Sequence, residues 1–270
     1  MNANGFTSVA RFGASTSALN ITGGTYTQAA ADRNILVGEE GNGTLTVSGT
    51  GKLQANGGLR VGFAGSGVGL LTQTGGIINV GTNVILGDNG KATVNLSGGQ
   101  FNVNTTGTVN FVVGNFGAGQ ATLNISGNAD LRLFNNASLR VGNETTTANN
   151  IVTQTGGSVT SYSDAGTTVG GTGVVILGRL TASGQNTYDL AGGTLTTGAV
   201  RSEASTSKLI FNGGTLKASG DNATFVSGLT SVEVAGGAVI DSNAHNVTIV
   251  NGLTQAGAGG LVKNGAGVLT

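Results

Sequence analysis

The chain has 270 residues, with 51 glycines and no cysteine, proline or tryptophan, so disulfides and thiolate metal sites are excluded. Charged residues make up 9% and cancel to a formal net charge of zero, which leaves no electrostatic pull toward nucleic acid or an anionic membrane. The glycine excess lacks a Gly-X-Y period and the 38% of hydrophobic residues alternate regularly, which excludes collagen and argues against disorder.

Residues 1–18 read as an N-terminal partial coil or cap, with Phe6 and Phe12 available to cover a first rung. The start, Met1-Asn2-Ala3-Asn4-Gly5-Phe6, has no basic region followed by an apolar run, so no signal peptide is expected. From residue 19 onward one phrase recurs, clearest in Thr93-Val94-Asn95-Leu96-Ser97-Gly98-Gly99-Gln100-Phe101-Asn102-Val103. Its apolar residues, Val94, Leu96, Phe101 and Val103, alternate with polar ones, which is the pattern of a strand with one buried face. The alternation breaks at Gly98-Gly99 and resumes, predicting two short strands that meet at a bend where glycine takes φ > 0 without strain.

Copies of the phrase centre on Gly23, Gly49, Gly75, Gly98, Gly127, Gly156, Gly192, Gly213 and Gly236, at spacings of 26, 26, 23, 29, 29, 36, 21 and 23, with a weaker tenth at Gly265. Before the glycine stand pairs such as Leu19/Ile21, Leu45/Val47, Leu123/Ile125, Leu209/Phe211 and Val232/Val234; after it come Ile78/Val80, Leu195 and Leu216. At Gly49 and Gly127 the second glycine is missing and the second arm is displaced by one residue, to Leu53/Ala55 and Leu131/Leu133, as a one-residue bulge would do. A self-similar period of this length built from strands means a solenoid.

Over residues 19–180 each coil adds a third strand of the form apolar-x-apolar-Gly, as in Ile35/Val37/Gly38, Leu59/Val61/Gly62, Val84/Leu86/Gly87, Phe111/Val113/Gly114, Leu139/Val141/Gly142 and Val175/Leu177/Gly178. Polar segments of variable length follow, Glu39 to Gly43, Phe63 to Gly69, Asn115 to Gln120 and Asn143 to Asn150, as expected of a corner outside the ladders. Residues 181–270 continue the solenoid with variant repeats such as Thr187-Tyr188-Asp189-Leu190-Ala191-Gly192-Gly193-Thr194-Leu195, and there the third strand is harder to recognise. The chain stops at Leu269-Thr270 within a repeat arm, which reads as a segment of a longer protein truncated at its C-terminus. No window approaches ~18 consecutive apolar residues, so no membrane insertion by this segment is expected.

The units Gly43-Thr44-Leu45-Thr46-Val47-Ser48-Gly49 and Leu139-Arg140-Val141-Gly142 resemble the repeats of autotransporter (type V secretion) passengers and PEP-CTERM-associated surface proteins. The terminal Gly260-Leu261-Val262-Lys263-Asn264-Gly265-Ala266-Gly267-Val268-Leu269-Thr270 resembles the autotransporter-associated β-strand repeat. The likeness covers most of residues 19–270 and rests on motifs that specify architecture rather than activity. It implies an all-β fold, a single-stranded right-handed parallel β-helix (solenoid), here of about ten coils of 21–36 residues. It also implies an extracellular place, on the outer surface of a Gram-negative-type bacterium or released from it.

Candidate chemistry is sparse. Gly87-Asp88-Asn89-Gly90-Lys91-Ala92-Thr93 has a superficial P-loop look, but the spacing is wrong and no helix follows, so a solenoid corner explains it. His245, the single histidine, follows Asp241 and offers a His–Asp pair, yet no nucleophile can be assigned and the segment reads as a turn between Val239 and Val247. A glycan-cleaving site needs clustered carboxylates, whereas Asp32, Asp88, Asp130, Asp164, Asp189, Asp221 and Asp241 are dispersed, and the adjoining Glu39 and Glu40 fall in a variable corner. The calcium-binding Gly-Gly-x-Gly-x-Asp phrase does not occur. The expectation is therefore no enzyme, no cofactor and no metal.

The surface feature most open to a binding role is a polar column. The residues just before each glycine are Thr22, Ser48, Thr74, Ser97, Ser126 and Thr155, and two earlier come Asn20, Thr46, Thr72, Asn95, Asn124 and Thr153. Stacked coils would align them into two ladders of hydroxyls and amides, for which cross-strand pairing is a sufficient structural reason. The expected function is a structural or adhesive stalk stiffened by backbone ladders and a dry Leu/Ile/Val/Phe interior. The alternative is a module binding ice or a glycan through the ladder. The expected partners are a glycan or other surface ligand and further copies of the segment joined end to end, since uncovered rungs pair readily.

Overall fold

The computed structural model describes residues 2–3, 5–103, 109–145, 147–164, 168–203 and 206–270. Met1, Asn4 and residue 146 of the Asn143 to Asn150 corner lie outside the described residues. The chain is all-β, a parallel solenoid of about ten turns, with no helix among the described residues.

Each coil makes three passes. The first and second arms belong to a 15-stranded sheet, and the third strands form a 10-stranded sheet on the other side of the core. The third-strand sheet runs rung by rung from Thr7–Val9 through Ile35–Val37, Leu59–Val61 and Val84–Leu86 to Val247–Ile249. It does not fade after residue 180. It shrinks to Val200–Arg201 and then widens to Asn222–Ser227, and a two-residue strand is too short to show alternation in sequence. Within residues 1–18, Asn2–Ala3 pairs with the second arm Thr25–Gln28 and Thr7–Val9 with Ile35–Val37.

The phrase aligns in register. Leu45, Leu71, Val94, Leu123, Val152, Tyr188, Leu209 and Val232 stack as one inward column, and every member is buried. Parallel stacking places like beside like, so each rung buries the next rung's apolar face and no rung is stable alone. Phe101 and Phe111 meet edge to face across the coil, 5.6 Å between centroids.

At Gly23-Gly24 the arms are two strands as expected, Thr16–Ile21 and Thr25–Gln28, but from Gly75-Gly76 onward the structure corrects the two-strand corner at each glycine pair. Lys91–Val103 is one continuous strand that bends at Gly98-Gly99, and Val68–Val80 beneath it does the same. The ladder shifts register around Gly98 and then recovers, so backbone bonding carries across the bend. Where the second glycine is missing the arms do separate, into Asn42–Val47 and Lys52–Ala55. Four residues, 48–51, then oppose three, 74–76, which is the one-residue bulge.

The interior is not wholly apolar, which corrects the expectation of a Leu/Ile/Val/Phe interior. Gln73 and Gln154 occupy inward positions between Val47 and Leu96 and between Ile125 and Leu190. The bend turns carbonyls inward, and the glutamines answer them. Gln73 donates from Nε2 to Gln100 O at 2.9 Å, and Gln154 donates to Thr194 O at 3.1 Å. Six residues before the central glycine, Asn150 and Asn186 are also buried. Asn150 Oδ1 accepts from Ala121 N at 2.9 Å, and Asn186 Nδ2 donates to Gly184 O at 2.8 Å. Buried polar groups persist only when bonded in this way.

Tyr188 is fully buried, and its hydroxyl donates to Gln154 Oε1 at 2.6 Å. Burial pushes its hydroxyl well above the ordinary tyrosine range. The folded state therefore holds a proton that the unfolded chain releases near pH ~10, so this stabilising term is intact below that pH and is lost as pH rises through it. Tyr188→Phe should lower stability at neutral pH by about 1–3 kcal/mol, because Gln154 Oε1 loses its donor. The same variant should show a smaller alkaline loss than the parent in urea titrations on either side of pH ~10. Equal alkaline slopes in the two proteins would refute this account.

Candidate functional site

The first predicted ladder lies in register. Asn20, Thr46, Thr72, Asn95, Asn124 and Thr153 are successive partners on the outer side of the first arm. Asn124 Nδ2 donates to Asn95 Oδ1 at 2.8 Å, so part of the column is spent on rung-to-rung bonding. The second set, Thr22, Ser48, Thr74, Ser97, Ser126 and Thr155, does not form an even column. It falls on the bend, where Thr74 pairs with Gly98 and Thr155 with Gly192. Two of its hydroxyls turn back to the previous coil, Ser97 Oγ to Gln73 O at 3.4 Å and Thr155 Oγ1 to Ile125 O at 3.5 Å.

A further amide ladder runs outside the second arm. Asn79 Nδ2 donates to Gln54 Oε1 and Asn102 Nδ2 to Asn79 Oδ1, both at 2.9 Å. Its signal was an amide four residues after the central glycine, at 79 and 102, and five after it at the bulged copy, at 54.

The glycine-rich Gly87 to Thr93 stretch is a corner, with Gly87 at φ 61° and Lys91 opening a strand. His245 does not meet Asp241. Its Nδ1 lies 3.6 Å from Asp221 Oδ1 one coil earlier, while Asp241 faces Lys217 Nζ at 3.3 Å. Asp221 is 72% exposed and also accepts from Asn246 N, so the pair pins a turn at the surface. Among the described residues no three His, Asp or Glu side chains converge as metal ligands would.

The most developed polar arrangement lies on the outer face of the third-strand sheet and the corner after it. The middle residue of each third strand points outward, giving Ser8, Leu36, Arg60, Ile85, Val112, Arg140, Ile176 and Arg201 in register. The aliphatic members are nevertheless buried. Backbone bonds of the corners stack the residue after each closing glycine, so Phe63, Asp88, Asn115 and Asn143 form a second row. Asp88 accepts from Arg60 Nη1 and, at 2.5 Å, from Asn115 Nδ2; Asn143 Nδ2 donates to Asn115 Oδ1 at 2.8 Å. An open cleft of about 660 Å³ lies here, lined by Arg60, Phe63, Asp88, Asn89, Asn115 and Phe116.

Farther along the row the charges change. Arg179 Nε lies 3.5 Å from Glu203 Oε2 and Arg201 Nη2 lies 2.8 Å from Glu203 Oε1. Burial and the neighbouring Arg179 lower the Arg140 pKa from its ordinary value, Arg201 adding to this and Glu203 and Glu144 opposing it. In sequence Arg140 is the x of Leu139-x-Val141, which looks like an ordinary solvent position, and Arg179, Arg201 and Glu203 fall outside the repeated phrases.

No protein-family model matches the chain, and comparison with curated proteins and with solved structures returns no match. No helix among the described residues is long and apolar enough to cross a membrane.

Proposed function

We propose that this chain is a non-catalytic structural or adhesive stalk segment, displayed extracellularly or on the outer surface of a bacterial cell. The observation that carries the reading is the unbroken third-strand sheet of ten rungs, in register with a second sheet that closes each coil. At ~4.8 Å per rung such a stack spans on the order of 50 Å. Its bending resistance comes from backbone bonds repeated at every rung and from a core continuous along the axis. The likeness of the repeats to autotransporter passengers supports the surface setting.

Pulled by its two ends in a force spectrometer, the segment should peel one coil at a time. With 21 to 36 residues per coil at ~3.3–3.6 Å per extended residue, each step should release about 70–130 Å of chain. A featureless extension at the forces of an unstructured polymer would defeat the stalk reading.

The in-register column from Asn20 to Thr153 favours a second reading, a surface-binding module for ice or a glycan. A thermal-hysteresis assay and a glycan array separate the two. Activity in either that disappears when Thr46 and Thr72 are replaced by valine would favour binding, and silence in both would favour the stalk.

A further inference from the structure

Arginine pairing in this solenoid is regular with one exception. Arg11, Arg33, Arg60, Arg132, Arg179 and Arg201 each have a carboxylate oxygen within 4.0 Å. Among the described residues Arg140 is the one arginine without such a partner. Its Nη1 reaches only Asn143 Oδ1, at 3.3 Å, an acceptor that Arg179 Nη1 also approaches at 3.5 Å. Its Nε is buried and has no hydrogen-bond partner. Both oxygens of Glu203, the nearest paired carboxylate in the row, are engaged by Arg179 and Arg201.

We propose that Arg140, Arg179 and Arg201 form a binding site for one oxyanion group, a carboxylate, sulfate or phosphate carried by an acidic ligand. Register sets the geometry. Arg140 pairs with Ile176 and Ile176 with Arg201, so the two guanidiniums flank a single aliphatic residue. Two rungs separate them by about 10 Å at the backbone, a gap within the combined reach of two arginine side chains. Ile176 is 3% exposed and makes an apolar floor, on which charge–charge attraction is less screened than in bulk water. Arg179 joins from the adjoining corner row.

Charge supplies the second argument. Two guanidiniums share the carboxylate of Glu203, and neither Glu203 nor Glu144, both of which act on Arg140 electrostatically, forms an ion pair with it. The surplus sits where desolvation is already taxing Arg140, which is the lowering of its pKa described above. An oxyanion accepting from Nη of Arg140, with the guanidinium turning to bring its buried Nε to the ligand, would satisfy the orphan donor and offset the like-charge repulsion. The planar fork of arginine suits carboxylate, sulfate and phosphate for that reason. Arg60, in the same outward column, has Asp88 in that place and shows how the solenoid neutralises an arginine when no ligand is to be bound.

The test is a nuclear magnetic resonance titration of the arginine Nε–H signals of the folded 270-residue chain. Sodium glucuronate, sodium sulfate and sodium phosphate are added separately at constant ionic strength, with sodium chloride and glucose as controls. At least one oxyanion should shift the Arg140 signal saturably, and the three arms identify which group fits. Arg140→Gln should weaken that binding at least about tenfold, the loss of one charge-assisted bond, and Arg33→Gln should leave it unchanged. Arg140→Lys keeps the charge and loses the fork, so it should also weaken binding; it carries the comparison if the glutamine variant misfolds. Shifts that rise linearly with all three salts, as with chloride, would overturn the proposal. So would undiminished binding in folded Arg140→Gln or Arg140→Lys.

Discussion

Leu96→Asp should unfold the coils around Lys91–Val103, while Asn95→Asp, one residue away, should barely change the melting temperature. Leu96 is 1% exposed and stacked between Gln73 and Ile125, and no lysine or arginine is among the buried residues of the described structure. An isolated charge there either costs several kcal/mol or is forced to protonate, and the lost leucine contacts add about 2–5 kcal/mol. Because every coil is templated by its neighbours, the loss should spread beyond one rung. Asn95 faces outward and uses Oδ1 to accept from Asn124 Nδ2, a role a carboxylate fills equally well. Its replacement should stay within about 0.5 kcal/mol. Thermal melts of the two variants decide the matter, and equal losses would mean that the facing is wrong.

Gly62→Ala should be the second severe change, and Gly65→Ala in the same corner should be nearly silent. Gly62 closes a third strand at φ 70°, and an added Cβ would lie 2.2 Å from the carbonyl oxygen of Lys91 in the next coil. The left-handed backbone alone costs a side chain about 1–2 kcal/mol. The collision is with backbone held in a ladder, which cannot step aside, so the rungs must separate. Left-handed geometry by itself is survivable at this station, since Ala10 adopts φ 63° in the first rung. Gly65 has no such φ, and its Cβ would meet nothing nearer than Asn89 Nδ2 at 3.8 Å. Chemical denaturation should give a loss of several kcal/mol for Gly62→Ala and almost none for Gly65→Ala. Similar values for both would show that the corner, not the inter-coil contact, sets the requirement for glycine.

What the sequence by itself determined was the solenoid: its repeat, its coil count near ten and the direction of nearly every side chain in the two arms. That was legible because parallel stacking writes the same inward and outward pattern into each coil, and because a bend needing φ > 0 leaves glycine as a marker. The bulges at Gly49 and Gly127 were legible for the same reason, as a one-residue displacement of an otherwise constant phrase.

Tertiary structure alone decided three things. The Gly98-Gly99 bend interrupts alternation without interrupting the ladder, and only the pairing of one coil with the next shows that the strand is continuous. Gln73 and Gln154 sit inward because the bend presents carbonyls to the interior, a demand set by backbone geometry that leaves no trace in hydropathy. The arginine row is a matter of distance. Arg140, Arg179 and the local pair Arg201–Glu203 are far apart in sequence, and their shared charge balance exists only once the coils bring them onto one face. Local pattern is copied from coil to coil and can be read in one dimension, whereas electrostatic partnership depends on which coils lie side by side and at what register.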